Sequence, residues 1–118
     1  MASRRKEQQE DIKLRVLQII SSNPQMTSRE LARKIGISNG SAYYLLTSLI
    51  EKGLIKFSNF NENSQKIKYS YLLTPKGIHE KSSLTNKFLV RKKEEFEALK
   101  EEIKTLEQNS GIVFNENK

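Results

Sequence analysis

The 118-residue chain has no cysteine, a single histidine (His79) and only two prolines. Without cysteine there are no disulfides, thiolate nucleophiles, cysteine zinc sites or thiol-based oxidant sensors, which fits a reducing compartment. One isolated imidazole, no phosphate-binding loop and no metal-ligand spacing leave no set of acid, base and nucleophile to assemble. The chain is therefore not expected to be an enzyme, and neither cofactor nor metal is expected; His79 reads as a surface or interface residue. No apolar stretch approaches the roughly 18 residues of a membrane span. The start, Met1-Ala2-Ser3-Arg4-Arg5-Lys6, leads into charged residues rather than a signal-peptide core, so a cytoplasmic protein without a membrane partner is expected.

Positive charge is abundant: 21 Lys and Arg against 14 Asp and Glu give +7. Such a balance points to a polyanionic partner, but separates nucleic acid from anionic lipid only once the charges are placed on elements. At 36% hydrophobic and 30% charged residues, the length fits one small domain with an appendage.

Ile12, Val16, Ile19 and Ile20 share a helical face, with Leu17 beside them, which predicts an amphipathic helix over 11–22 stopped by Asn23-Pro24. Residues 1–10 are read as a basic mobile arm carrying Arg4, Arg5 and Lys6. Thr27-Ser28-Arg29-Glu30 is a capping box that opens a short helix to Ile35, closed by Gly36. Ser38 then caps a third helix through Lys52, with Ala42, Leu45, Leu46 and Leu49 as its buried face and Gly53 ending it in the left-handed conformation. Residues 54–60 and 65–73 are rich in Ile, Phe, Tyr and Leu and flank the polar turn Asn61-Glu62-Asn63-Ser64, which reads as a two-stranded hairpin. Thr74-Pro75 caps a further helix, and a span to Asn109 makes a rod of about 50 Å. The tail over 110–118 is read as flexible, though Ile112, Val113 and Phe114 could dock locally.

A helix-turn-helix needs a small residue where its two helices touch, a turn residue four later, and apolar residues on the inward face of the second helix. Ala32, Gly36, Ala42 and Leu45 meet those demands. With the hairpin as a wing, the fold class is mainly α, a winged helix-turn-helix domain over 11–77 followed by a dimerisation helix over 78–109. The segments Arg29-Glu30-Leu31-Ala32-Arg33-Lys34-Ile35-Gly36-Ile37-Ser38, Leu49-Ile50-Glu51-Lys52-Gly53-Leu54-Ile55 and Leu72-Leu73-Thr74-Pro75-Lys76-Gly77 resemble the MarR-type winged-helix regulators. The chain is similar over 12–107 to the short branch of these associated with exopolysaccharide gene clusters, including Phe88-Leu89 and Glu97-Ala98-Leu99-Lys100. The resemblance implies a bacterial transcriptional regulator, with exopolysaccharide genes as its targets. The branch carries Lys near the positions of Ser41 and Thr47, so base and phosphate contacts do not transfer to those hydroxyls.

On the third helix the outward residues Asn39, Ser41, Tyr43, Tyr44, Thr47 and Ser48 are the candidates for base contacts. Asn can pair bidentately with adenine, hydroxyls donate or accept, and a Tyr ring meets a thymine methyl or a phosphate. The tyrosines have a second reading, partial burial against the first helix or the hairpin. Gly40 suits close approach, either to DNA backbone or to the preceding helix. Thr27, Ser28, Arg29, Arg33 and Lys34 are candidates for backbone phosphates. Asn63, Ser64, Gln65, Lys66 and Lys68 form a wing suited to the minor groove.

Leu89, Phe96 and Ile103 recur every seven residues, with Leu99 and Leu106 at the complementary position, an a/d seam interrupted by Lys92. Glu95 and Glu102 flank it at g, and Lys93 and Lys100 at e, which favours parallel strands. Ile78, Leu84, Phe88 and Val90 are assigned to packing near the domain, with the first helix of a partner copy as a candidate surface. The expected partners are double-stranded DNA, as a pseudo-palindromic operator, and a second copy of the chain; no small-molecule effector is expected. The alternative is a protein–protein adaptor that uses the winged domain and coil without specific DNA binding.

Overall fold

The structure, a computed structural model, describes the backbone at residues 4–62 and 66–111, and the side chains there except at 59–62 and 66–69. Its elements run α1 (Arg4–Ser22), α2 (Ser28–Ile35), α3 (Asn39–Glu51), β1 (Ile55–Glu62), β2 (Lys66–Leu73) and α4 (Pro75–Ser110). The chain forms two compact units, Met1–Thr85 and Asn86–Lys118, with the boundary inside α4.

Helix α1 begins at Arg4, where an arm was expected through residue 10. The physical reason lies in the segment itself: Glu7, Gln8, Gln9 and Glu10 are good helix formers, and neither Gly nor Pro separates them from the amphipathic stretch. The face that α1 buries is also rotated from the expected one. Leu14, Val16, Leu17 and Ile20 are buried, while Ile12 and Ile19 are half-buried at its edge.

The capping box opens α2 as expected. The Thr27 N–H donates to Glu30 Oε1 at 2.9 Å, and the Glu30 N–H to Thr27 Oγ1 at 3.1 Å, which satisfies two otherwise orphaned donors. These bonds hold the Glu30 carboxyl below its ordinary range, first through the Thr27 backbone N–H and then through its side chain. Gly36 closes α2 at φ +84°, with its N–H on the Ala32 carbonyl at 2.8 Å. Ser38 Oγ accepts from the Ser41 N–H at 3.1 Å and starts α3. Ala42, Leu46 and Leu49 are buried as expected, but Leu45 is only half-buried because it turns toward a groove beside α1.

Strands β1 and β2 pair antiparallel from Ile55 opposite Leu73 to Glu62 opposite Lys66. The root of this hairpin is held by the rest of the unit. The Tyr71 N–H donates to the Pro24 carbonyl at 2.8 Å, Ile55 is fully buried, and the Phe57 and Tyr71 rings stand 5.0 Å apart. The first part of α4 is fastened to α1 by Lys13 Nζ to Glu80 Oε2 at 3.0 Å and Lys81 Nζ to Ser21 Oγ at 3.2 Å, while Leu84 joins the core. Ile78 and Val90 are exposed in the single chain, which leaves packing on a partner's first helix as the expectation for them.

In the second unit, Leu89, Phe96, Leu99, Ile103 and Leu106 are 46 to 60% exposed and form an apolar stripe along α4. Lys92, which interrupts the stripe, turns its Nζ to Glu95 Oε1 at 3.2 Å and over the Phe88 ring at 5.4 Å from its centroid. Its stem therefore lies along the helix with its charge in solvent. Gly111 ends the described part of this unit at φ +74°; residues 112–118, including Ile112, Val113 and Phe114, lie outside it.

Candidate nucleic-acid interface

Helix α3 packs against α2, and the small side chains Ala32 of α2 and Ala42 of α3 are both buried. With Ala42, Leu46 and Leu49 buried, the opposite side of α3 faces outward. Asn39, Ser41, Tyr43 and Tyr44 are all exposed, and Thr47 and Ser48 are half-buried. The structure thus brings the six expected base-contact residues onto one helix but presents the first four more fully. The tyrosines are 66% and 73% exposed, so partial burial does not describe them. Tyr43 nevertheless lies near Tyr71 at the hairpin root, whose hydroxyl is held above its ordinary range by burial and, secondarily, by Tyr43. Ser41 Oγ accepts from Ser38 Oγ at 2.9 Å, which leaves its own proton free to donate.

A Cβ built on Gly40 meets nothing within 4 Å. Close approach to a neighbouring helix is therefore not its role, and the space above it faces outward. Gly40 borders a mostly apolar groove of about 470 Å³ lined by Gln9, Ile12, Ile37, Ser41, Tyr44 and Leu45. Sequence reasoning missed this groove because it placed residues 4–10 in an arm; extending α1 by these turns brings Gln9 to it.

Of the expected backbone contacts, Thr27, Arg29, Arg33 and Lys34 are exposed and Ser28 is half-buried at the first turn of α2. Thr27 Oγ1 accepts from the Glu30 N–H in the capping box, which leaves its own proton able to donate. Arg29 and Arg33 are four apart and share a helix face. The Lys34 carbonyl accepts from Arg15 Nη2 at 3.1 Å, which adds a third cation to this end of α2. Lys66 and Lys68 stand in β2, opposite Glu62 and Phe60 in the register, and the wing residues Asn63, Ser64 and Gln65 lie outside the described residues.

Charge is divided unequally between the units. Residues 1–85 hold 14 Lys and Arg against seven Asp and Glu, while residues 86–118 hold seven of each. The whole net charge of +7 thus belongs to the unit that carries α3. Among the described residues, no group of His, Asp and Glu is placed to hold a metal, and no helix is long and apolar enough to cross a membrane. His79 is exposed.

A family model for winged helix-turn-helix DNA-binding domains matches residues 9–56. Among solved structures, the chain is similar to a PadR-like transcriptional regulator from Bacillus cereus, at 21% identity and TM-score 0.64 over 75% of this chain and 90% of that one. It is similar to Staphylococcus aureus MarR in complex with salicylate and kanamycin, at 21% identity and TM-score 0.56 over 83% and 69% of the two chains. A variant of S. aureus MepR bound to an oligodeoxyribonucleotide matches at 17% identity and TM-score 0.59, over 89% and 87%. No curated protein sequence matches the chain. At these identities the likeness is one of fold: α2 and α3 are the paired helices of a winged helix-turn-helix, β1 and β2 its wing, and a long C-terminal helix follows.

Proposed function

We propose that this protein is a sequence-specific, double-stranded DNA-binding transcriptional regulator of the MarR type that works in the cytoplasm as a homodimer. The observation that carries this reading is the outward face of α3. Neutral hydrogen-bonding and aromatic groups, Asn39, Ser41, Tyr43 and Tyr44, stand exposed on α3, and the cations Arg29, Arg33 and Lys34 are exposed on α2, which packs against it. Such a surface divides the work: cations hold phosphates, and the neutral groups meet base edges. With no Arg or Lys among residues 39–51, the common Arg-to-guanine contact is absent from α3, and adenine and thymine edges suit its Asn and Tyr.

The apolar stripe of α4 supports a second copy as partner, since a chain alone leaves it open to water. Its unit has no net charge, so two copies meet there without repulsion. Two reading helices then address successive major grooves of a pseudo-palindromic site. The assignment of exopolysaccharide genes as targets rests on the sequence resemblance alone. No small-molecule effector is required by this reading.

The test is selection of duplexes from a random pool, followed by salt titration on the best of them. An inverted repeat with half-sites about one turn apart is expected. Affinity should fall by on the order of a thousandfold between low and moderate salt. No duplex binding at low salt would overturn the reading.

A further inference from the structure

Three consecutive carbonyls follow the last turn of α3, and all three are met from the first turn of α4. Lys76 Nζ donates to the Lys52 carbonyl at 3.0 Å. Thr74 Oγ1 donates to the Gly53 carbonyl at 2.6 Å, and the Thr74 N–H to the Leu54 carbonyl at 3.0 Å. The same Thr74 hydroxyl accepts from the Gly77 N–H at 3.0 Å, so one side chain both caps α4 and receives the end of α3. Gly77 presses so closely on the Leu54 carbonyl that a Cβ there would collide with it.

Helix α3 already closes its own last turn through Lys52, Gly53 and Leu54 N–H groups on the Ser48, Ile50 and Leu49 carbonyls. The bonds from Thr74 and Lys76 therefore add little to whether α3 forms. They fix where its C-terminal end lies relative to α4. A reading helix touches base edges within a few tenths of an ångström, whereas phosphate contacts through long cations tolerate small tilts.

We propose that Thr74 and Lys76 are positioning residues for DNA recognition: they clamp the end of α3 to α4 and so set sequence discrimination rather than overall affinity for DNA. This rests on the functional reading above. The clamp touches no base, and its contribution is transmitted through the tilt of α3.

The test compares the full-length chain with Thr74→Val, Thr74→Ser and Lys76→Met on two duplexes, the best selected site and a scrambled duplex of equal length. Thr74→Val and Lys76→Met are expected to lower the ratio of selected to scrambled affinity by about tenfold. Affinity for the scrambled duplex should stay within about twofold. Thr74→Ser, which keeps the hydroxyl, should restore the ratio. If Thr74→Val does not fold, Lys76→Met carries the test, since Lys76 is exposed and its loss removes one surface bond. An unchanged ratio in folded Lys76→Met overturns the inference while the functional reading stands. A drop of about one in the salt slope on both duplexes would instead make Lys76 a phosphate contact and overturn its positioning role. Failure of the unaltered chain to bind either duplex would overturn the functional reading, and the inference with it.

Discussion

The two units of the chain solve the problem of apolar surface in opposite ways. In Met1–Thr85 the side chains of Leu14, Val16, Leu17, Ile20, Met26, Leu31, Leu46, Leu49, Leu54 and Ile55 are buried by one another, and every net positive charge sits around them. In the other unit, Leu89, Phe96, Leu99, Ile103 and Leu106 have comparable apolar character, yet each stays about half exposed. One unit is closed with respect to water and open with respect to anions; the other is the reverse. A small winged domain thus separates what holds it together from what it binds. Its core is closed within the first unit, while its long helix leaves an apolar face exposed, the face proposed to pair.

The largest expected effect tests the closed unit. Leu17→Ala removes a fully buried side chain and should cost about 2–5 kcal/mol, read from the urea midpoint. Leu99→Ala, measured in samples dilute enough to be monomeric, should cost less than about 0.5 kcal/mol; equal costs would erase the distinction between the units.

Next comes the seam. Phe96→Lys combined with Ile103→Lys should weaken self-association by on the order of a hundredfold in sedimentation velocity. The unfolding midpoint of the first unit should not move. A dimer that persists would place the pairing surface elsewhere.

The third prediction concerns α3. Tyr43→Ala and Tyr44→Ala, both at exposed positions, should each lower affinity for the selected duplex about tenfold, with stability changed by less than about 0.5 kcal/mol. Lost stability without lost affinity would return the tyrosines to a packing role.

The smallest effect is at the start of α2. Thr27→Ala should cost about 1 kcal/mol. Because the folded state lowers the Glu30 pKa, its stabilisation is present above the ordinary carboxylate range and is lost as pH falls through the lowered folded value. Acid titration of Glu30→Gln should lack that component; an identical acid profile would remove the capping carboxylate from the account.

What the sequence makes legible follows from the range of the interactions. The capping box at Thr27 and Glu30, the Ser38 cap and the left-handed Gly36 and Gly53 involve partners within a few residues, and each is found where its local pattern places it. The start and orientation of α1 were less accessible. Its apolar residues 12, 14, 16, 17, 19 and 20 cover more than half of the helix circumference, so periodicity defines a stripe but not which edge meets the core. Leu14 is consequently not singled out, and the groove beside Leu45 escapes notice because its Gln9 lies in the turns read as an arm. The outward residues of α3 were legible because the small Ala32 and Ala42 define the opposite face. The clamp at Thr74 and Lys76 was not, since its bonds join residues 20 to 24 apart and depend on how the hairpin returns the chain.

Gly40 and Gly77 look alike to any scale of helix preference, which would replace both with alanine for a gain of about 0.5–1 kcal/mol each. Their surroundings make them opposites: position 77 has a backbone carbonyl where the methyl would go, and position 40 has open space. Thermostabilisation by alanine is therefore open only at Gly40, on the surface proposed to meet DNA. A more heat-resistant version made there would carry its added methyl into the recognition surface, so selection for robustness and selection for recognition would pull on the same atom.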